Sequence, residues 1–344
     1  MTPTFEVDDH FTQCVGIDMA KDKFTACLTM TTGADNICRS TVVEFPNTKT
    51  GFNQLLKWTN KEMVKSKPCR FLMEPTGIYH EPLAYHLHKL GKPVYVILAN
   101  RAKAFALYRG IRSKNDEMDC QMLAHLGCLE PSTGTWNPPA AIYRELRTMC
   151  RFRKDLEHQL TVFKNQLEAL IHSESSDEFV VKTCKSLIKT LQKKIEAIEK
   201  EIEEKVKSDP VLMERIKKIL TIPGVGMTTI VSILAETNGF ELISSRKQLA
   251  KYAGLDVVEN KSGTIAHKDR LSKKGNTHIR ACLYMPALVC TSFNAPLRED
   301  YLRIVSRHPT QKKIAVGAVM RKLLLLIYTL WKTGEVWDES KYQK

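Results

Sequence analysis

Residues 14–24 read CVGIDMAKDKF, and this stretch decides how the first third of the chain is built. An apolar run, Cys14 to Ile17, ends on an acid, Asp18. A polar turn at Ala20–Lys23 follows, and then a second run, FTACLTM. Two β-prone runs around a short polar turn predict a hairpin. A first strand that ends in Asp, with no Gly-rich loop behind it, argues against a doubly wound nucleotide-binding sheet, where glycines cradle a phosphate at that point.

Working outward, STVVEF is expected to be a third strand, and Asn47 is placed to cap the helix KTGFNQLLKWTN. RFLMEP reads as a fourth strand. HEPLAYHLHKLG reads as a helix closed by a left-handed Gly91. KPVYVILAN reads as a fifth strand, with a helix following around Asn115–Gly127. A hairpin-linked sheet followed by βαβ units predicts an α/β, ribonuclease-H-like N-terminal domain. In that fold acidic residues gather at one edge of the central strands.

Four acids occupy such places. Asp18 and Glu74 end strands, and Asp116 and Asp119 stand three apart on the following helix, hence on one face. Oxygen donors of this kind suit Mg²⁺ or Mn²⁺. Such ions, paired roughly 3.5–4 Å apart, can clamp the oxygens of a phosphoryl transfer. The expectation is an enzyme acting on nucleic acid. Each acid taken alone has an ordinary reading: a turn residue for Asp18, an exposed strand end for Glu74, a helix cap and a first-turn acid for Asp116 and Asp119. The joint pattern favours the metal site.

Composition agrees with a polyanionic partner. The 344 residues carry a formal net charge of +14, and 43% are hydrophobic. The excess is uneven: residues 1–135 hold 16 basic and 14 acidic groups, 136–215 hold 15 and 14, and 216–344 hold 21 and 10. Ten cysteines show no CxxC pair and no zinc spacing, which predicts reduced thiols in a cytoplasmic protein. The start of the chain carries no secretory signal pattern, and LLLLIY reads as a buried helix segment.

Between residues 142 and 207 two heptad seams appear. Leu156, Leu160, Phe163, Leu167 and Leu170 form one; Cys184, Ile188, Leu191, Ile195, Ile198 and Ile202 form the other. An antiparallel coiled-coil hairpin is expected, its second helix opened by a capping box of Ser175 and Glu178. It serves either for dimerisation or as an internal strut. From residue 211 to 335 the chain reads as mostly helical. IPGVG resembles a helix–hairpin–helix turn, whose exposed amides can hold a phosphate. Lys261, Lys268, Arg270, Lys273, Lys274 and Arg280 gather around Ser262, Gly263, Ser272 and Gly275, the chemistry of a phosphate-gripping segment.

The GID strand, EPTG, the Lys114-Asn115-Asp116 element with Asp119, IPGVG, and the AGL…SG…LSKKGN…R block follow one another in this order. Together they resemble the insertion sequence 110 family of transposases over nearly the whole chain. Cys120 stands where the family usually has Ala, and Asn115 takes the middle position of a KTD-like sequence. The resemblance implies a RuvC-like domain (12–135) with a DEDD tetrad on Asp18, Glu74, Asp116 and Asp119. It implies a coiled coil (142–207) and a C-terminal transposase domain (211–335) whose essential serine falls on Ser262, with Ser272 as the alternative. It further implies Mg²⁺-dependent recombination of donor and target double-stranded DNA through a covalent serine–DNA link. A structured non-coding guide RNA and a dimer pairing into a tetramer complete what the family suggests. The rival readings are a water-using, junction-resolving nuclease and a non-catalytic nucleic-acid scaffold.

Overall fold

Strands β1 (Thr12–Met19) and β2 (Lys23–Thr31) form the expected antiparallel hairpin, with Asp18 opposite Thr25. The computed structural model describes residues 12–32, 37–75, 77–111, 115–129, 134–241, 243–258, 261–262, 265–266 and 270–342, and only the backbone at 261–262 and 265–266. The chain divides into two units, residues 1–138 and 139–344.

In the first unit an additional short strand stands ahead of the expected third one. β3 (Ile37–Arg39) and β4 (Val43–Pro46) pair with opposite ends of β2. Helix α1 (Lys49–Glu62) leads into β5 (Cys69–Met73), which lies parallel to β1. Thr48, one residue beyond the expected Asn47, caps α1 by accepting from the Gly51 amide. Asn47 instead donates to the carbonyls of Ala20, Lys21 and Tyr79, fastening the hairpin turn. Helix α2 (Glu81–Lys89) ends ahead of a left-handed Gly91, and β6 (Val94–Val96) adds in parallel to β5. The sheet order is β3-β2-β1-β5-β6. Two helices follow: α3 (Ala99–Tyr108), whose first two residues the sequence places at the end of a strand and whose remainder it leaves unassigned, and α4 (Asp116–Leu129). Val15, Ile17, Phe24, Phe71 and Leu83 lie in the main core. Gln13, also buried, has both ends of its amide bonded to the Val64–Lys67 turn.

The second unit opens with α5 (Ala141–Ile171) and α6 (Glu178–Lys207), which run antiparallel: Arg153 meets Glu199 and the Cys184 thiol meets the Phe163 carbonyl. Away from the base of the hairpin, Leu156, Leu160, Leu167 and Leu170 are only half-buried, as two helices alone leave them. Asp177, not the Ser175 box, caps α6 through the Phe179 and Val180 amides. It stands immediately before the helix, where its carboxylate is within reach of those amides.

Helices α7 (Pro210–Leu220), α8 (Met227–Thr237) and α9 (Arg246–Ala253) follow. Four two-residue strands come next: β7 (Val257–Val258), β8 (Lys261–Ser262), β9 (Ile265–Ala266) and β10 (Arg270–Leu271). β7 pairs with β10, and β8 with β9. The chain closes with α10 (Thr277–Phe293), α11 (Ala295–Arg307) and α12 (Lys312–Thr333). α12 is long and apolar enough to span a membrane by composition, yet it buries Val319, Leu323, Ile327 and Trp331 in the core of this unit.

Candidate active site

The acidic residues of the first unit are placed by register. β1 and β5 are parallel, with Ile17 beside Met73, so the next residue on each strand, Asp18 and Glu74, leaves the sheet at the same level. Both are half-buried. Helix α4 lies across β1 in the reverse sense. Gly16 sits under Cys120 and Ala124, Gly127 sits against Cys14, and the Thr12 hydroxyl donates to the Cys128 carbonyl. The N-terminus of α4, with Asp116 and Asp119, is thereby brought to the edge where Asp18 and Glu74 emerge. The two glycines allow it: a Cβ on Gly16 would lie 2.1 Å from the Ala124 nitrogen and 2.2 Å from the Cys120 carbonyl.

Short contacts tie this edge together. Thr25, opposite Asp18, donates its hydroxyl to the Asp116 carbonyl at 3.3 Å. The Cys120 thiol is pushed up to about 12, chiefly by burial, with Cys27 and the charge of Asp18 adding to it. Lys23 is raised above its ordinary value mainly by Glu44, and Asp116 contributes. The Asn115 side chain accepts from the Met118 amide at 2.8 Å, so the capping of α4 falls to Asn115 and Asp116 is not needed for it. Sequence reading left that question open.

Carboxylates are the donors a hard divalent cation takes. They share an edge here without forming a closed shell: among the described residues no three His, Cys, Asp or Glu side chains are grouped tightly enough to hold one ion. The single convergent pocket expected from sequence is therefore a shared edge, placed by backbone register.

In the second unit the predicted residues separate into two kinds. Ser262 ends β8 just before the connection to β9; its side chain, that of Lys261, and all of Lys268, Gly263 and Lys114 lie outside what the structure describes. Arg270, Lys273 and Lys274 are exposed, with Lys273 in a left-handed conformation (φ 51°). Arg280 has a different task from the phosphate contact expected of it. It is half-buried, and its Nη1 donates to the carbonyls of Ala253 (2.8 Å), Gly275 (3.1 Å) and Asn276 (3.3 Å). It staples the point where the segment leaves α9 to the point where it enters α10. Gly254 and Gly275 are pressed together at the same place; a Cβ on Gly275 would lie 2.5 Å from the Gly254 nitrogen. Ser272, the alternative nucleophile, donates its hydroxyl to Asp256 and its amide to the Asp256 carbonyl. The IPGVG turn is also more structural than expected, since Gly224 (φ 91°) is packed against Cys290 of α10.

A buried polar node that the sequence gave no sign of completes this base. Glu236 at the end of α8 takes a bidentate pair from Arg151 of α5 (2.7 and 2.8 Å) and the Asn276 amide (2.7 Å). Tyr252 donates to its backbone carbonyl at 2.8 Å. Burial alone would raise the carboxyl, but Arg151 and Asn276 outweigh it and hold Glu236 below its ordinary range.

Two family models match the chain. One, a transposase model named for its DEDD tetrad and for insertion sequence IS110, covers residues 15–174. The other, described as "Transposase IS116/IS110/IS902 family", covers 216–302. The chain is 28% identical to the pilin gene-inverting protein of Moraxella bovis over 96% of its own length and 98% of that protein's. It is 27% identical over the same shares to the Moraxella lacunata protein of that name. An uncharacterized protein of insertion element IS110 from Streptomyces coelicolor is 23% identical over 35% of this chain and 29% of its own. A DEDD carboxylate set suggests dependence on a divalent metal. With both parts matched in order, the chain belongs to the insertion sequence 110 family of transposases, enzymes that recombine DNA.

Proposed function

We propose that the protein moves or inverts a DNA segment by phosphodiester transesterification, with the acidic edge of a RuvC-like unit serving the hydroxyl of Ser262. The observation that carries this reading is the parallel register that sets Glu74 level with Asp18, with the Asp116 end of α4 laid over them. The strand order and senses of the sheet support a ribonuclease-H-like architecture, in which this edge holds the reacting phosphate. Drawn together around a reacting phosphate, Asp18, Glu74, Asp116 and Asp119 would hold Mg²⁺, or Mn²⁺ in its place, which would polarise that phosphate.

The chain's own residues do the rest. The Ser262 oxygen attacks phosphorus; its bond to phosphorus forms as the bond to a sugar oxygen breaks. The serine proton is lost and the leaving oxygen gains one. Because one phosphate ester replaces another, the link can be reversed onto a new strand without ATP. Lys261, Lys268, Arg270, Lys273 and Lys274 offset phosphate charge on the double-stranded DNA. Bringing two DNA sites together calls for several copies of the chain, a dimer pairing into a tetramer. The family resemblance supports a structured non-coding RNA as the guide that selects donor and target. The printed name of the Moraxella relatives supports inversion as one outcome of the same chemistry. Action on chromosomal DNA places the protein in the cytoplasm, at the nucleoid.

The test is incubation with element-end DNA, guide RNA and Mg²⁺, followed by denaturing electrophoresis and peptide mass mapping. A protein–DNA adduct on the Ser262 peptide is expected, lost in Ser262→Ala and in Asp18→Asn. Cleavage that persists in Ser262→Ala would replace the proposal with the water-using nuclease. An adduct on the Ser272 peptide would move the nucleophile.

A further inference from the structure

Residues 82–115 contain no Asp or Glu and seven Lys or Arg, although the first 135 residues are almost balanced in charge. Helix α3 lies within this stretch. Its single buried residue is Ala102, and Arg101, Lys103, Leu107, Tyr108 and Arg109 are exposed. Tyr108 is 80% exposed and Leu107 70%, a large apolar surface to leave in water beside cations.

On the side toward α4 the helix is not flat. Arg101, Ala104, Phe105 and Tyr108 share one face and, with Leu126 and Leu129 of α4, line a groove of about 390 Å³. The floor is apolar. His125 beneath it is T-stacked with the Phe105 ring, centroids 5.5 Å apart, and is pushed down to about 4, by burial first and then by Arg109 and Arg39, so it is neutral at physiological pH.

An apolar slot with an aromatic wall and a cationic rim fits a flat ring carried on an anionic backbone. Nucleobases stack on such side chains whatever their sequence, and arginine beside them takes the phosphate. A closed duplex presents no ring face to such a slot. Position completes the case. β6 is parallel to β5, with Val96 beside Met73, so α3 begins on the sheet edge where Asp18 and Glu74 emerge. Exchange of strands between duplexes must unpair bases near the phosphate that reacts.

We infer that the α3–α4 groove seats an unpaired base of the DNA strand delivered to the acidic edge, with Tyr108 and Phe105 against the ring and Arg101 on its phosphate. The inference rests on the DNA-recombining reading above and adds to it a single-strand site away from the serine segment.

The full-length protein is titrated with a fluorescein-labelled DNA single strand of about 16 nucleotides, with its duplex, and with RNA of the same sequence. A copy of the single strand carrying 2-aminopurine reports stacking. Tyr108→Ala is expected to weaken single-strand binding about tenfold and to abolish 2-aminopurine quenching, with duplex affinity within about twofold and Tyr108→Phe close to wild type. Arg101→Ala is expected to flatten the salt dependence by about 0.7 of a log unit per log unit. Single-strand binding by Tyr108→Ala within about twofold of wild type overturns the inference, as does a larger loss for RNA than for DNA. So does a change in oligomeric state by sedimentation, which would make the patch a contact between copies. Wild-type protein that binds none of these DNAs would defeat the proposed function itself; wild-type binding with unaltered variants would defeat the groove alone.

Discussion

The acidic edge and the serine segment are built by opposite means. Asp18, Glu74 and the α4 acids are placed by the interior of a domain: two parallel strands in fixed register and a helix laid so close that Gly16 and Gly127 have no room for a side chain. The segment from Gly254 to Asn276 has strands of two residues each and is fastened at its base, by Arg280, Gly254, Gly275 and the Glu236–Asn276 bond. In the proposed chemistry the acids would be set by a packed core and the serine by a segment fastened at its base. If Ser262 is the nucleophile proposed above, Arg280, Gly254 and Gly275 are the groups that would set where its segment starts and ends.

That contrast can be broken from either side. Gly16→Ala should have the largest effect. Backbone stands within 2.2 Å of the new methyl, so α4 must lift from β1, at about 3 kcal/mol or more. Adduct formation should vanish together with a clear fall in the melting temperature. Gly275→Ala attacks the clamp. It should cost about 1–3 kcal/mol in the second unit, while adduct yield falls at least about tenfold, in the range that misplacement of a reacting group produces. A loss of stability with no loss of adduct would show that the clamp does not position the serine.

Arg151→Ala comes next. It removes a bidentate charged hydrogen bond from a carboxylate only 4% exposed, but Arg151 itself is 45% exposed, so about 1.5–3 kcal/mol is an upper range. The expected mark is a slower adduct-forming step with unchanged DNA affinity. The smallest effect is in pH. The folded-state pKa of Glu236 lies below its ordinary 4.5. Its stabilising contribution is therefore complete above that value and is lost as pH falls through the lowered folded value. The difference in melting temperature between wild type and Glu236→Gln should narrow on acidification, and a widening gap would contradict the assigned state.

The acidic edge was the more legible half. Asp18 and Glu74 close apolar runs, and strand ends are visible in a pattern of two. The hairpin helices were legible for the same reason, their seams repeating over many turns. What was missed depends on distance or on single-residue choices. Thr48 takes the cap from Asn47 because Asn47 is needed by Ala20, Lys21 and Tyr79, none of which is local. Helix α3 was hidden because the strand before it is only three residues long, and the apolar residues Ile97 and Leu98 read on without a break. The Glu236 node joins positions 85 and 40 residues apart, and no spacing rule reports such a contact. Arg280 looked like part of a basic cluster, since sequence does not distinguish a guanidinium facing solvent from one facing carbonyls.

The cysteines carry a practical consequence. Cys14, Cys27, Cys69, Cys120, Cys128, Cys150 and Cys290 are buried, and burial raises each of these thiols above its ordinary value. Alkylating reagents attack the thiolate, so these sites should stay silent in the native protein. A half-buried thiol such as Cys38 should react ahead of them. Removing the few accessible thiols would leave a chemically quiet background, on which a fluorophore could be installed at one chosen place and DNA binding followed.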